Sequence, residues 1–252
     1  MNKRASCLTA VALLALLVIG FGTSQARPAQ RTAKPKEPSW ALHGPYSPSL
    51  EPANFVTTID NRYFPLKPGT AFHYKGFKDA ASQTDDMVVT QQKKQIIGIA
   101  CTVVRDTVSQ GGKPIERTFD WYAQDKQGNV WYMGEDAFEL KNGRFVRADD
   151  SWKSGVNGAK PGIIMRGNPR PGDVYRQEYY PRGAAMDQAR VLGAATRVKV
   201  PQGTYRRALA TVEWSPIEPQ LEKKYYAAGV GEIREQVVAG GHEGFQLVSV
   251  TR

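Results

Sequence analysis

Apolar and polar residues alternate with a period of two along most of the chain after residue 54, in short runs separated by Gly, Pro, Asn and Asp. This alternation is typical of β-strands with one buried face, and the period of an amphipathic helix is nearly absent. The predicted strands cover residues 70–77, 86–92, 95–108, 115–123, 129–135, 143–147, 173–180, 188–199, 204–214, 222–228, 231–238 and 244–251.

Two hairpins are indicated by their turn residues. In the first, residues 124–129 join two apolar runs, and Gly128 is free to adopt a positive φ. In the second, Pro201 and Gly203 suit a type I turn. Consecutive antiparallel strands with short turns predict an all-β fold, namely a meander that forms a barrel or a lipocalin-like half-barrel. A two-sheet β-sandwich is the alternative.

Residues 149–172 break the pattern of short turns. A segment of this length without regular structure is uncommon in a compact domain and is often functional. It contains Trp152, which suits an apolar or sugar surface, and Lys160 and Arg166, which could hold an anion. We therefore expect this segment to be a binding element.

The N-terminus has the organisation of a secretory signal peptide. Lys3 and Arg4 precede an apolar run at residues 8–21, and a cleavage site follows that ends at Ala26. The run is shorter than the about 20 residues of a membrane span. We expect cleavage of residues 1–26 and a soluble product in the periplasm or outside the cell, with a retained anchor as the alternative. Cys7 precedes the apolar run, where it is misplaced for lipidation.

Residues 27–52 are rich in Pro and poor in aliphatic residues, which predicts an extended linker. Removal of residues 1–26 lowers the formal net charge from +10 to +8, and residues 27–50 carry +3 of it. A basic linker can be weakly attracted to anionic surfaces. Residues 53–252 are expected to form one monomeric β domain, and they lack the basic, aromatic-interleaved stripe that nucleic-acid binding requires.

Cleavage would leave Cys101 as the only cysteine of the mature chain, so no internal disulfide can form. Ile97, Ile99, Cys101 and Val103 occupy alternate positions, which predicts one buried strand face. We therefore expect Cys101 to be a buried apolar thiol rather than a redox or nucleophilic group.

Few residues suit metal or nucleophilic chemistry. The chain has no HExxH, CxxC or GxSxG motif, so we expect no metal, no cofactor and no familiar serine triad. His73 follows Phe72 in a predicted strand and is expected to be partly buried and hydrogen-bonded, with a role as a catalytic base as the alternative. His242 lies in a glycine-rich turn and is expected to be exposed.

Carboxylates are better candidates for chemistry. Glu135, Glu178 and Glu213 lie in or beside predicted strands, and two inward acids could act as general acid and base or as a glycosidase pair. Glu213 lies between Val212 and Trp214, so it faces the opposite side of its strand. It is an inward acid only if that side lines a barrel interior. A solvated surface position is the alternative for all three acids.

Aromatic residues are concentrated in the predicted strands, where packing and cross-strand pairing explain most of them. Rings that face a lumen would suit a lipid or sugar surface. Trp131 and Trp214 join Trp152 as the candidates for ligand contact.

Three segments carry a family resemblance: YFPLKPG at residues 63–69, GNVWYMGE at residues 128–135 and KYYAAGVGEI at residues 224–233. They resemble a family of uncharacterised exported bacterial β-rich proteins, over residues 54–249. The third segment also resembles the closing strands of periplasmic half-barrel and lipocalin-like proteins. The resemblance implies an exported β domain, but no site residues, because the family has no established activity.

The leading hypothesis is an exported β-barrel-like protein that binds an apolar or carbohydrate ligand in its lumen. The alternatives are a carboxylate-dependent hydrolase of an envelope polymer and a structural or interaction module of the cell envelope. A filled barrel would favour the module, whereas a hollow barrel lined by Glu135 and Glu213 would favour chemistry.

Overall fold

The computed structural model describes residues 35–183, 185–217 and 220–252. The predicted signal peptide, residues 1–26, and the first residues of the predicted linker lie outside this part of the chain. Within the described residues, no helix has the length and apolar character needed to cross a membrane.

Sixteen strands follow a single 3₁₀ turn at Pro52–Asn54. They are β1 (Phe55–Val56), β2 (Ala71–Lys78), β3 (Ala81–Ile96), β4 (Ile99–Gln110), β5 (Lys113–Asp125), β6 (Val130–Lys141), β7 (Arg144–Arg147), β8 (Trp152–Lys153), β9 (Lys160–Met165), β10 (Val174–Arg176), β11 (Glu178–Tyr179), β12 (Gln188–Val200), β13 (Gly203–Trp214), β14 (Leu221–Ala227), β15 (Gly231–Ala239) and β16 (Glu243–Thr251). Both predicted hairpins are confirmed, β5–β6 with Gly128 at φ 82° and β12–β13 with its turn at residues 201–202.

The strands form one antiparallel sheet in the order β10-β12-β13-β14-β15-β16-β2-β3-β4-β5-β6-β9-β11. Its two ends, β10 and β11, are consecutive in the chain and are separated only by Gln177. One short segment therefore pairs with β12 on one side and with β9 on the other. The sheet is nearly closed into a barrel, which confirms the all-β barrel prediction over the sandwich alternative.

The backbone at this seam is tightly packed. Gly162 on β9 lies so close to the segment joining β10 and β11 that a Cβ there would be 2.3 Å from the carbonyl carbon of Gln177. The N–H of Gln177 donates a hydrogen bond of 2.8 Å to the carbonyl oxygen of Asp187. Closure therefore depends on a residue without a side chain at position 162.

The prediction that residues 149–172 lack regular structure is wrong, because this segment contains two short strands. Its β8 and β9 both pair with β6, and β9 also pairs with β11. The irregular remainder is divided into three short stretches, residues 149–151, 154–159 and 166–172. The segment thus supplies a strand that helps to close the barrel. Its mixed composition shows no alternation of apolar and polar residues, so the sequence pattern did not predict these short strands.

β4 has apolar residues on both faces. A cluster of Ile96, Ile99, Cys101, Val103, Trp121, Ala123 and Met133 covers the outer face, under Leu50 and Phe55. Cys101 is fully buried there, as predicted, and burial raises the pKa of its thiol to about 12. Ile97 does not share this face, which corrects the prediction: it lies at φ 43° in the turn before Gly98 and is exposed.

Part of the predicted linker binds to the barrel beside the seam. The N–H of Leu42 donates to Oε1 of Gln188 at 2.6 Å, and Arg176 donates to the carbonyl oxygens of Leu42 and Gly44 at 3.1 and 3.2 Å. The ring of Tyr46 packs 5.5 Å from that of Tyr179. Residues 42–46 therefore reinforce the region where the two ends of the sheet meet.

Gly162→Ala should destabilise the fold by about 2–3 kcal/mol, because the added methyl group overlaps the backbone of Gln177. Gly203→Ala is the matched control, since no atom lies within 4 Å of the added carbon and Gly203 has no positive φ. Urea unfolding followed by circular dichroism measures both. Equal stability of the two variants would contradict the assigned closure.

Candidate functional site

The barrel contains a partly open cavity with a volume of about 100 Å³ for the centres of water-sized spheres. Inward-facing residues from eleven strands line it, together with residues of the loops. Aromatic and aliphatic side chains alternate with ten carboxyl groups on these inward faces. The carboxyl groups belong to Asp85, Asp106, Glu116, Asp120, Glu135, Glu178, Asp187, Glu213, Glu232 and Glu235.

Strand β5 shows how regular alternation builds this lining. Glu116, Thr118, Asp120 and Tyr122 occupy every second position, and all four line the cavity. The residues between them face outward, where Trp121 joins the outer apolar cluster. Period-two geometry thus places two acids and an aromatic ring of one strand on the same side.

A β-bulge adds Glu135 to the lining. Tyr132 and Glu135 are three residues apart, so a regular strand would point them to opposite faces. The register of β5 with β6 shifts between these two positions, and both side chains line the cavity. Gly134 adopts φ 128° at the shift, and a Cβ there would lie 2.4 Å from the carbonyl oxygen of Trp152. Glycine is therefore required at this bulge.

A second bulge acts in the same way on β15. Glu232 lies opposite Tyr226, and Arg234 lies opposite Tyr225, so Ile233 is the additional residue. Glu232 and Glu235, again three residues apart, both line the cavity as a result. Ile233 is fully buried in the main apolar cluster.

Lys224 is the one basic residue among the described residues that line the cavity. It is 3 % exposed. Its Nζ lies 3.4 Å from Oε2 of Glu213, 3.6 Å from Oε2 of Glu222 and 3.6 Å from Oε2 of Glu235. Glu213 and Glu222 are cross-strand neighbours, so the ammonium group offsets a direct repulsion between like charges.

The charge of Lys224 is maintained by these neighbours. Burial alone lowers the pKa of Lys224, but the carboxylates of Glu213 and Glu222 outweigh burial and hold it well above its ordinary value. Burial also raises the pKa of Glu222 and of Glu235 to about 8, despite the lysine. One ammonium group cannot neutralise three carboxylates, so this cluster retains protons near neutral pH.

Other carboxyl groups of the lumen are protonated more readily than usual. Burial, followed by the charge of Asp106, raises the pKa of Glu116 to about 8. The same two causes raise the pKa of Asp120 to about 7, although the hydroxyl of Tyr132 donates a hydrogen bond of 2.6 Å to Oδ1 of Asp120. The lumen therefore changes its charge within the neutral range of pH.

Two pairs of carboxyl groups share hydrogen bonds. Burial raises the pKa of Asp85 well above its ordinary value, and the neighbouring carboxyl group of Asp106 raises it further. Asp187 is hydrogen-bonded to Ser215 and to Glu178, but burial still raises its pKa to about 6. A hydrogen bond between two carboxyl groups requires a proton on one of them, so each pair holds a proton that a reaction could use.

An aromatic wall stands beside the acids. The ring of Tyr122 is stacked on that of Tyr132 at 4.9 Å, and Phe64 meets Tyr122 edge-on at 5.4 Å. Trp152 supports Tyr132 from behind at 5.4 Å. Phe64, Tyr122 and Tyr132 line the cavity. The site thus combines flat apolar surfaces with hydrogen-bond acceptors.

The structure brings the three predicted acids to one cavity. Glu135, Glu178 and Glu213 are all buried and all line it. His73 lies on the outer face of β2, where its Nδ1 is 2.6 Å from Oδ1 of Asp86, so the expected partly buried and hydrogen-bonded position is confirmed. His242 is exposed, as expected.

The five residues predicted to bind a ligand lie around the lumen rather than in its lining. Trp131 donates a hydrogen bond of 2.8 Å to Asp125, and Trp214 is buried in the wall. Trp152 also borders a second cavity of about 940 Å³ on the outer surface. Lys160 donates to the carbonyl oxygen of Tyr46, and Arg166 lies 5.7 Å from the centre of the Tyr175 ring.

Sequence reasoning missed Lys224, the basic residue of the lining, together with Asp85, Asp106 and Glu116. A usable signal was present in β5, where acids recur at alternate positions of a strand that is otherwise buried. An acid on a buried face requires a partner or a cavity. For Glu135 and Glu232, which reach the lumen through a β-bulge, the alternation of residues in the sequence does not indicate the inward position.

The donor set does not resemble a metal centre. Among the residues that the structure describes, no group of three or more His, Cys, Asp and Glu side chains is arranged to hold a metal ion.

Fold and cavity together define an all-β protein, a nearly closed antiparallel barrel with a carboxylate-lined lumen. No family model and no curated protein sequence matches the chain. Two solved structures are similar to it. One is a candidate exported protein with a YmcC-like fold from Bacteroides fragilis NCTC 9343, with 13% identity over 76% of this chain and 100% of that chain and a TM-score of 0.45. The other is a candidate lipoprotein from Parabacteroides distasonis ATCC 8503, with the same identity and coverage and a TM-score of 0.38.

Lys224→Met should destabilise the protein by about 3–5 kcal/mol at pH 7, because it leaves the buried carboxyl group of Glu213 and the half-buried ones of Glu222 and Glu235 without their cation. The loss should shrink toward pH 5, because the pKa of Glu222 and of Glu235 is about 8 and a protonated carboxyl group needs no cation. Urea unfolding at both pH values measures it. Lys223→Met, one residue away on the opposite strand face, should change stability by less than about 1 kcal/mol. A Lys224→Met variant as stable as this control would contradict the assigned cluster.

The stability of the protein should fall as the pH rises from about 5 to about 8. The pKa of Glu116 is about 8 in the folded protein against 4.5 ordinarily, so the folded state binds more protons than the unfolded state across this range. Glu116→Gln should remove part of the fall, about 1–3 kcal/mol. Unfolding free energies measured at pH 5, 6.5 and 8 test this. If the unfolding free energies of the wild type and of Glu116→Gln change with pH in the same way, the pKa of Glu116 is not raised in the folded protein.

Proposed function

We propose that this chain is an exported β-barrel protein that binds a small amphipathic ligand, with an apolar or sugar-ring surface, in its lumen. The observation that carries the proposal is the cavity itself, which is lined by inward-facing residues of eleven strands. An interior filled with side chains would have favoured an interaction module. The pattern of the N-terminal residues and the resemblance to exported proteins support the exported location.

The chemistry of the lining supports such a ligand. The rings of Phe64, Tyr122 and Tyr132 line the cavity, and aromatic rings in a site suit apolar groups and sugar rings. Phe72, Met87, Val108 and Phe245 extend this apolar area, and the carboxyl groups supply hydrogen-bond acceptors. Ligand sites are typically apolar cavities with a few convergent polar groups.

The binding function is tested with the uncharged fluorescent probe N-phenyl-1-naphthylamine, whose emission rises on transfer to an apolar site. We expect saturable binding by the wild type. Thr118→Phe should weaken it at least tenfold, because Thr118 lines the cavity and the larger side chain fills it. Thr107→Phe is the control, since Thr107 lies on the adjacent strand but faces outward. Displacement by lipids and by oligosaccharides then identifies the ligand class.

Circular dichroism of both variants shows whether they are folded. If the wild type does not bind the probe and no lipid or glycan raises its melting temperature, the proposed function is wrong. The same conclusion holds if folded Thr118→Phe and Thr107→Phe bind the probe equally.

The second candidate is a hydrolase that uses carboxyl groups on an envelope polymer. It is favoured by the convergence of Glu135, Glu178 and Glu213 on one cavity, beside acids that hold protons near neutral pH. Release of reducing ends from isolated envelope glycans tests it. Hydrolysis that is lost in Glu178→Gln but kept in Glu51→Gln, which changes an exposed carboxyl group outside the barrel lining, would establish this function over simple binding.

A further inference from the structure

Charge is segregated between the lumen and the remainder of the protein. Among the described residues, ten carboxyl groups and one ammonium group line the cavity, a formal charge of −9 when every carboxyl group is ionised, whereas the whole chain carries +10. Buried charges of one sign are disfavoured by desolvation and by their mutual repulsion. A lumen of this kind therefore favours the entry of a cation.

Among the described residues, the buried oxygen atoms of the lining without a hydrogen-bond partner include Oε2 of Glu116 and Oε1 of Gln177. Their residues are 8 % and 2 % exposed. Both atoms are acceptors, and buried acceptors in native proteins are nearly always paired with a donor. A ligand that satisfies them must carry N–H or O–H groups.

Lys224 shows how the lumen holds an ammonium group. Its Nζ is surrounded by three carboxylates at 3.4 to 3.6 Å while its carbon chain is buried in the wall. No other basic residue among the described residues lines the cavity, so carboxyl groups such as Glu116 and Asp120 retain protons near neutral pH in the absence of another cation. The ammonium groups of a bound ligand could contact these other carboxyl groups in the way that Nζ of Lys224 contacts its three carboxylates.

The aromatic wall suits the same ligand. The faces of Phe64, Tyr122 and Tyr132 carry negative electrostatic potential, so they attract a cation and also pack against an alkyl chain. A neutral glycan could supply donors to Glu116 and Gln177, but it would leave the charge of the lumen uncompensated.

We propose that the lumen binds a protonated alkylamine or alkyl polyamine, with its ammonium groups on the inward carboxylates and its carbon frame against Phe64, Tyr122 and Tyr132. This inference rests on the proposed binding function and narrows its ligand class. The two sources of such a ligand are a free diamine or polyamine and the amine of a single-chain amphiphile.

Isothermal titration of the chain with 1,8-diaminooctane, at pH 7.5 in 150 mM salt, tests the inference. We expect the diamine to bind at least tenfold more tightly than 1,8-octanediol, which has the same frame without charge. Titration with dodecylamine separates the two sources, since the tighter of the two amines identifies the ligand type.

Site variants locate the bound amine. The double variant Glu116→Gln, Asp120→Asn should bind the diamine at least tenfold more weakly, because both acids line the cavity. The control Glu51→Gln, Asp149→Asn removes two exposed carboxyl groups elsewhere and should stay within twofold of the wild type. Circular dichroism and binding of N-phenyl-1-naphthylamine by both variants show that the barrel is intact.

Equal affinity for the diamine and the diol would overturn the amine inference, as would equal effects of the two double variants. Preferential binding of calcium chloride over both amines would also overturn it. In each case, retained binding of N-phenyl-1-naphthylamine by the wild type leaves the proposed binding function standing. Loss of binding of that probe and of both amines refutes the binding function itself.

Discussion

The ammonium group of Lys224, buried among Glu213, Glu222 and Glu235, is the interaction on which the interior of this barrel depends. It links β14 to both of its neighbours in the sheet, because Lys224 lies opposite Thr211 on β13 and Glu235 on β15. Without it, cross-strand neighbours on these three strands would present carboxylates to one another. An ion cluster of this kind is weak evidence for stability in general. Here it keeps an acidic lumen compatible with a folded sheet.

Backbone irregularities decide which acids reach that lumen. The bulges on β6 and β15 turn Glu135 and Glu232 to the side already occupied by Tyr132 and Glu235. Bulges of this kind re-aim side chains and are common beside functional sites. Gly134 permits the first bulge, and Gly162 permits the close approach that joins the two ends of the sheet. The chemistry of the site and the closure of the barrel therefore depend on the same kind of backbone feature.

The prediction of fold and site succeeded where alternation is regular. Along β5, a period of two predicts one strand with two faces, and the structure places Glu116, Thr118, Asp120 and Tyr122 together on the inner one. It failed at the turn containing Ile97 and at the short strands within residues 149–172, because a turn or a two-residue strand is too brief to show a period. Glu213 was correctly described as facing away from Val212 and Trp214, but alternation does not say which face is inside.

By itself, the sequence determined that the protein is an antiparallel all-β domain, since strand periodicity and turn residues are local properties. It also predicted correctly that Cys101 is a buried thiol. Only the tertiary structure decided that the interior is hollow and acidic, and that Lys224 is its counter-ion. The physical reason is that charge balance inside a barrel depends on cross-strand register, and register is set by pairings between residues that are far apart in the chain.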